Sequence, residues 1–160
     1  MTPALFLDVA LSPALRMLPP KMDTPEARAL LVAIALQESE LRNRRQMSGG
    51  PARGYFQFER AGVTGVLKHR VSSELARAVC GALDLAPTVG QVHRAIEYHD
   101  VLAVGFARLL LWTLPVRLPT RHEPKDAYAQ YIDAWRPGTP RPADWPANFT
   151  AAWRIVERAD

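Results

Sequence analysis

The residue whose surroundings most suggest chemistry is Glu38, an acid inside an apolar helical pattern. It lies four residues after Ile34 and three before Leu41, spacings that put the three side chains on one helix face. Burial on that face disfavours the charged form and raises the pKa, as general-acid catalysis at neutral pH requires. A structural acid paired with Arg42 is an equally good interpretation of position alone. Glu40, rotated by about 200°, is predicted to face solvent.

Helices have to position this acid. The chain has 160 residues, of which 48% are hydrophobic and 22% charged, and this composition fits one domain with a single core. Segments rich in Ala, Leu and Arg alternate with prolines, and strand-type alternation is nearly absent. We therefore predict an all-α protein, with an N-terminal arm or short helix over residues 1–22 and one domain over residues 23–160.

Capping signals predict where the helices lie. The helix carrying Glu38 is predicted to begin at Thr24-Pro25-Glu26, which supplies a capping hydroxyl, a first-turn proline and an acid, and to run to about Arg44. The later helices are predicted over Ser73 to Leu85, Thr88 to His99 (with Gln91 completing a capping box), Asp100 to Leu114, Lys125 to Trp135 and Pro146 to Arg158.

Two short motifs follow each other around the end of the Glu38 helix. The first is Glu38-Ser39-Glu40-Leu41, and the second is Ala52-Arg53-Gly54-Tyr55-Phe56-Gln57-Phe58. In this order and spacing they resemble the soluble (SLT-type) lytic transglycosylases, which share the goose-type lysozyme fold. That family has Glu-Ser-x-aromatic/aliphatic and then Gly-Ala-x-Gly-Leu-Met-Gln-aliphatic. Here Pro51 replaces the first glycine, and Tyr55-Phe56 replaces Leu-Met.

A third family element is a helix with Ala-Tyr-Asn-Ala-Gly, whose tyrosine reaches the catalytic acid. The nearest segment in this chain is 128–138, where Tyr131 or Trp135 takes that role by analogy and the asparagine is absent.

The resemblance implies a lysozyme-like domain that cleaves the β-1,4 bond between N-acetylmuramic acid (MurNAc) and N-acetylglucosamine (GlcNAc) in peptidoglycan. Glu38 would act first as acid and then as base, while the MurNAc C6 hydroxyl attacks and leaves a 1,6-anhydro end. No cofactor is implied. The implied substrate-binding residues share a position near the acid: Ser48 and Gln57 as hydrogen-bonding groups, Gly54 as a point of close backbone approach, and Tyr55, Phe56 and Tyr131 as ring faces for pyranoses. Each ring taken singly is equally well explained as a core residue.

Glu59 is a possible second acid, and it keeps two mechanisms open. If it faced the cleft, a lysozyme-type hydrolase that activates water would be as plausible as the transglycosylase. A solvated partner of Arg60 or Lys68 is the favoured interpretation. A non-catalytic peptidoglycan-binding or virion structural protein is the alternative from another class.

Charge and composition limit the partners. The net charge is +4, and residues 41–70 carry seven basic side chains against Glu59 alone. They form either a rim for the peptide-stem carboxylates of peptidoglycan or a solvated face. No nucleic-acid-binding signature accompanies them, so no nucleic-acid partner is predicted. The histidine spacing supports no metal site, and the single cysteine, Cys80, is expected to be a small buried hydrophobe.

The predicted place of action is the cell wall. No apolar run is long enough for a stable membrane span, and the first residues lack the basic region of a signal peptide. We therefore expect synthesis in the cytoplasm, followed by delivery within a phage virion or release at lysis. Nothing in the sequence specifies an oligomeric state.

Overall fold

The computed structural model describes residues 1–46 and 49–159, and these are mostly helical with no β-strand among them. The prediction of an all-α protein is therefore confirmed. The α-helices, in chain order, are α1 (Pro3–Phe6), α2 (Ser12–Arg16), α3 (Pro25–Ser39), α4 (Arg60–Lys68), α5 (Ser73–Ala82), α6 (Val89–Ile96), α7 (Asp100–Trp112), α8 (Pro124–Trp135) and α9 (Trp145–Val156). A π-helical turn, Leu7–Leu11, joins α1 to α2, and a 3-10 turn, Pro20–Met22, precedes α3.

Helix α3 runs through the middle of the core. It begins as predicted, with the Thr24 hydroxyl accepting from the backbone N–H of Ala27 at 3.2 Å. Ten of its residues are buried, so it is apolar around most of its circumference instead of along one stripe. It packs chiefly against α9, with further contacts to α7 and the π-helical turn. Beyond the first turn, where Glu26 lies, Glu38 is the one acid of this helix.

The predicted end of α3 near Arg44 is wrong. The helix ends at Ser39, and the next two residues, Glu40 and Leu41, adopt left-handed backbone angles with φ of 52° and 54°. The Glu40 N–H still donates to the carbonyl of Leu36, in the manner of a left-handed helix cap. Glu40 is exposed, as predicted.

The loop after α3 is stabilised by pairing within itself. Isolated antiparallel bridges join Arg45 to Arg53 and Arg53 to Phe58. The chain then enters α4, a helix that the sequence analysis did not predict because Gly62 and Gly65 interrupt its pattern.

Residues 1–22 contribute to the same core. Phe6 and Leu11 are fully buried. The centroid of the Phe6 ring lies 6.1 Å from the ring centroids of both Tyr55 and Phe56. The terminal amino group of Met1 donates to the carbonyl of Leu41 at 2.8 Å. The first helices therefore support the loop that follows Glu38.

The other helix boundaries differ from prediction by a few residues. Helix α6 ends at Ile96, three residues earlier than predicted, because His99 instead caps α7 through a bond from the Leu102 N–H to Nδ1 at 3.3 Å. Helices α5, α7 and α9 each end two or three residues earlier than predicted. No helix in the described part of the chain is both long and apolar enough to span a bilayer.

Candidate active site

Glu38 lies in the last turn of α3 and is partly buried. Its Oε1 accepts a hydrogen bond from the Tyr131 hydroxyl at 2.6 Å. Burial raises the pKa of Glu38 from 4.5 to about 7, even though the Tyr131 hydrogen bond and the charge of Arg141 both act to lower that pKa. A carboxyl with this pKa can donate a proton near neutral pH and take one back.

Tyr131 reaches Glu38 from α8, and aromatic packing holds it there. Its ring stacks on Trp145 with centroids 5.3 Å apart and an interplanar angle of 9°. Trp145 is in turn held by a hydrogen bond from Nε1 to the carbonyl of Pro124 at 2.9 Å. Burial and the nearby Glu38 raise the pKa of the Tyr131 hydroxyl well above its usual range, so it remains a hydrogen-bond donor.

Of the two residues that the sequence offered for this role, the structure brings Tyr131 to the acid. Trp135, one turn further along α8, instead donates from Nε1 to the carbonyl of Phe56 at 2.9 Å. Its ring packs against those of Phe56 and Phe58, with centroids 6.2 and 5.9 Å apart. Trp135 therefore joins α8 to the loop that follows Glu38.

Three polar residues beside Glu38 were missed by the sequence analysis. The Gln37 amide donates to the carbonyl of Arg141 at 2.8 Å and accepts from Asn148 Nδ2 at 2.9 Å. The Arg141 guanidinium donates to the backbone carbonyl of Gln37. It therefore satisfies an otherwise unpaired carbonyl at the C-terminal end of α3, where a positive charge is favoured. The one available signal was Gln37 itself, a buried amide in an apolar helix.

Ser39, the residue after the acid, fastens the helix end to the second motif. Its hydroxyl lies 3.0 Å from the carbonyl of Ala35 and 2.8 Å from that of Tyr55, and it accepts from the Leu41 N–H at 3.2 Å. Ser39 therefore anchors the loop that carries Tyr55 to the end of α3, directly beside Glu38.

Gly54 is required for internal packing. Its φ is +70°, and a Cβ there would lie 2.5 Å from the carbonyl oxygen of Ile96. The sequence analysis expected Gly54 to admit a sugar, but the close neighbour is the end of α6. The glycine therefore lets the loop and α6 touch.

The expectation that Tyr55 and Phe56 present ring faces to a sugar is wrong. Phe56 is fully buried and Tyr55 is 6% exposed. The Arg44 guanidinium covers the Tyr55 ring at 4.2 Å from its centroid. The Tyr131 ring is also buried, so this residue offers its hydroxyl and not its ring face. All three rings belong to the core that supports Glu38.

Gln57 is turned towards its own loop. Its backbone is left-handed, with φ of 47°, and its Nε2 donates to the carbonyl of Gly54 at 2.9 Å. This bond orients the amide without linking it to Glu38. Ser48, the other expected hydrogen-bonding residue, lies outside the described residues.

Glu59 is exposed and immediately precedes α4. The groups that affect the pKa of Glu38 are Tyr131 and Arg141, and Glu59 is not among them. No ion pair in the described part of the chain joins Glu59 to Arg60 or Lys68.

The expected basic rim is partly neutralised by acids from elsewhere in the chain. Arg44 forms a two-pronged ion pair with Asp100, one bond of which is 2.8 Å, and Arg45 and Arg53 both pair with Glu97, at 2.5 and 3.2 Å. The sequence count over residues 41–70 missed these acids because they lie about fifty positions further along the chain. The pairs tie the loop to the junction of α6 and α7.

His93 and Cys80 have structural roles. His93 Nε2 lies 3.0 Å from the carbonyl of Phe58, and Cys80 is fully buried, as predicted, with its thiol pKa raised by burial. Among residues 1–46 and 49–159, no group of three potential metal ligands comes together.

Comparison of the chain with protein-family models, with curated proteins and with solved structures gives no match.

Proposed function

We propose that this protein cleaves the β-1,4 bond between MurNAc and GlcNAc in peptidoglycan by lytic transglycosylation, on a lysozyme-like domain with Glu38 as the catalytic acid. The observation that supports this most directly is the pKa of Glu38, which burial raises to about 7. The sequence motifs around Glu38 and Gly54 provide the substrate class.

The first half of the reaction needs a proton. Glu38 transfers its proton to the glycosidic oxygen, which leaves as the C4 hydroxyl of GlcNAc while the bond to C1 of MurNAc breaks. Burial keeps a sufficient fraction of Glu38 protonated at neutral pH. The developing carboxylate then accepts the Tyr131 hydrogen bond at 2.6 Å and is stabilised by the charge of Arg141.

The second half needs a base. The ionised Glu38 takes the proton from the C6 hydroxyl of the same MurNAc, whose oxygen bonds to C1 and closes the 1,6-anhydro ring. Glu38 ends in its starting state, and no water is consumed. One carboxyl suffices for both steps, in agreement with a site where Tyr131 and Arg141, and no second acid among the residues the structure describes, act on Glu38.

Product analysis tests the proposal. Purified protein, Glu38→Gln and Glu40→Gln are incubated with peptidoglycan sacculi, and the soluble products are identified by mass. Glu40 is the matched control because it is an exposed acid two residues from Glu38. We expect anhydro-ended muropeptides from the wild type and from Glu40→Gln, and a loss of about a hundredfold or more in Glu38→Gln.

Other outcomes separate the alternatives. Reducing ends that disappear in Glu38→Gln would replace transglycosylation with hydrolysis, and Glu59→Gln would then test the source of the activated water. Equal products from the wild type and Glu38→Gln would refute the role of Glu38. No products on walls of several compositions, together with retained binding to sacculi, would replace the enzyme with a binding protein.

A further inference from the structure

A pocket of about 690 Å³ lies away from Glu38, where the end of α7 meets the start of α3. Helix α7 contributes Arg108, Leu111 and Trp112, and the loop after α7 contributes Val116. Lys21, in the 3-10 turn before α3, lies on the opposite side. Neither Glu38 nor Tyr131 lines the pocket, so the proposed glycan chemistry does not explain it.

Arg108 is the unusual residue of this pocket, because it is a cation that is only 2% exposed. Its Nε donates to the carbonyl of Met22 at 2.8 Å. No hydrogen bond among the described residues joins its two terminal nitrogens to the protein. Within the described residues, the one fully enclosed side-chain polar atom that lacks a hydrogen-bond partner is Trp153 Nε1. The terminal nitrogens of Arg108 also lack a partner, so they are not fully enclosed and keep accessible surface. The pocket is where a ligand would reach them.

The acid that attracts Arg108 is already paired with another residue. Asp23 attracts it electrostatically, but both Asp23 oxygens accept hydrogen bonds from Arg28, at 2.6 and 2.8 Å. Desolvation therefore dominates and lowers the pKa of Arg108 to about 10. Buried charges in proteins are normally paired, and a guanidinium favours a carboxylate that accepts two parallel hydrogen bonds.

The rest of the pocket is suited to an apolar chain. The Trp112 ring forms one wall, with the Arg108 guanidinium 5.3 Å and the Lys21 ammonium 5.4 Å from its centroid. Leu111 continues that wall, and Val116, which is 56% exposed, stands at the rim. Exposed apolar surface beside a cavity of this size is typical of a small-molecule site.

The charge of the pocket favours a ligand with a single negative charge. Arg117 also lines it but is paired with Glu123 at 2.8 Å, and Glu26 adds a carboxylate to the lining. Positive charge is therefore limited to Arg108 and Lys21, which would attract a monoanion better than a strongly charged polyanion.

We propose that this pocket binds an amphiphilic monocarboxylate, whose carboxylate pairs with Arg108 while its apolar chain lies along Trp112, Leu111 and Val116. This function is independent of glycan cleavage. The ligand class follows from one buried guanidinium in the lining of a mainly apolar pocket.

Isothermal titration calorimetry with decanoate, below its micelle concentration, tests the ligand class. We expect saturable one-site binding of decanoate to the full chain. Acetate lacks the chain, decanol lacks the charge and decyltrimethylammonium reverses it, so each is expected to bind about tenfold or more weakly. Equal binding of decanol or of the cation, or no saturable binding of decanoate, would overturn the proposal.

Variants test the location. Arg108→Met is expected to weaken decanoate binding about tenfold or more. Because Arg108 is buried and this variant could fail to fold, Val116→Glu is the second variant, and Val9→Glu is its control at another exposed valine, which is 48% exposed. We expect weaker binding only in Val116→Glu, with unchanged binding in Val9→Glu and Glu38→Gln. Wild-type affinity in a folded Arg108→Met, or in Val116→Glu, would refute the assignment.

Discussion

The hydroxyl of Tyr131 lies 2.6 Å from Oε1 of Glu38, although 93 residues separate the two along the chain. This contact joins α8 to the end of α3 and gives the partly buried carboxyl a hydrogen-bond donor. Burial and this donor act on the Glu38 pKa in opposite directions, and burial has the larger effect.

Replacing Tyr131 with Phe should raise the pKa of Glu38 above about 7, because the ionised carboxyl loses its donor. Titration of the glutamate side-chain carboxyl by ¹³C NMR measures this shift. The basic limb of the pH–activity profile should move in the same direction. Tyr128→Phe is the control, since Tyr128 lies one turn away on α8 and its ring packs against Tyr131. An unchanged or lower pKa of Glu38 in Tyr131→Phe would contradict this account.

Replacing Arg141 should also raise the pKa of Glu38, because a positive charge beside the carboxyl is lost. We expect Arg141→Met to shift the titration upward and to make it less sensitive to salt than in the wild type. Arg136→Met, in the same exposed segment, is the control. Identical titrations and identical salt dependence in the two variants would show that the Arg141 charge does not act on Glu38.

Glu38→Gln should stabilise the protein at alkaline pH. Because folding raises the pKa of Glu38 from 4.5 to about 7, the folded state binds more protons than the unfolded state between these values. The contribution of Glu38 to stability is therefore complete below pH 4.5 and is lost as the pH rises through 7.

Urea denaturation at pH 4.5 and pH 8 measures this effect. At pH 8 we expect Glu38→Gln to exceed the wild type by about 1–3 kcal/mol in free energy of unfolding, with little difference at pH 4.5. Glu40→Gln should change stability by less than about 0.5 kcal/mol at either pH, because Glu40 is exposed. A wild type that is more stable than Glu38→Gln at pH 8 would reverse the sign of the argument.

Two glycine substitutions should have opposite effects on stability. Gly54→Ala puts a Cβ 2.5 Å from the Ile96 carbonyl oxygen at a φ of +70°, so we expect a loss of about 2 kcal/mol or more. Gly65→Ala, inside α4 with no atom within 4 Å of the added Cβ, should gain about 0.5–1 kcal/mol. Thermal or urea denaturation distinguishes them, and a neutral Gly54→Ala would remove the packing argument for this glycine.

Local signals in the sequence determined much of this protein. Three features could be predicted from the sequence, because each depends on residues within a few positions of one another. They are the capping hydroxyl of Thr24, the scarcity of strand-type patterns and the placement of Glu38 within an apolar helix. They established the all-α class and the position of the acid whose pKa burial raises. The end of α3 was misjudged because the bond from Ser39 to the Tyr55 carbonyl spans 16 residues.

Only the tertiary structure decided what surrounds Glu38. Its neighbours come from three later parts of the chain: Tyr131 from α8, Arg141 from the segment after α8, and Asn148 from α9. No sequence spacing predicts that they meet Gln37 and Glu38. The partners of the basic loop, Glu97 and Asp100, are likewise distant in sequence. Whether Tyr55 and Phe56 face a cleft or the core also depends on packing, since an aromatic ring has the same local pattern in both places. Burial, charge neutralisation and the pKa of Glu38 are therefore properties of the assembled core.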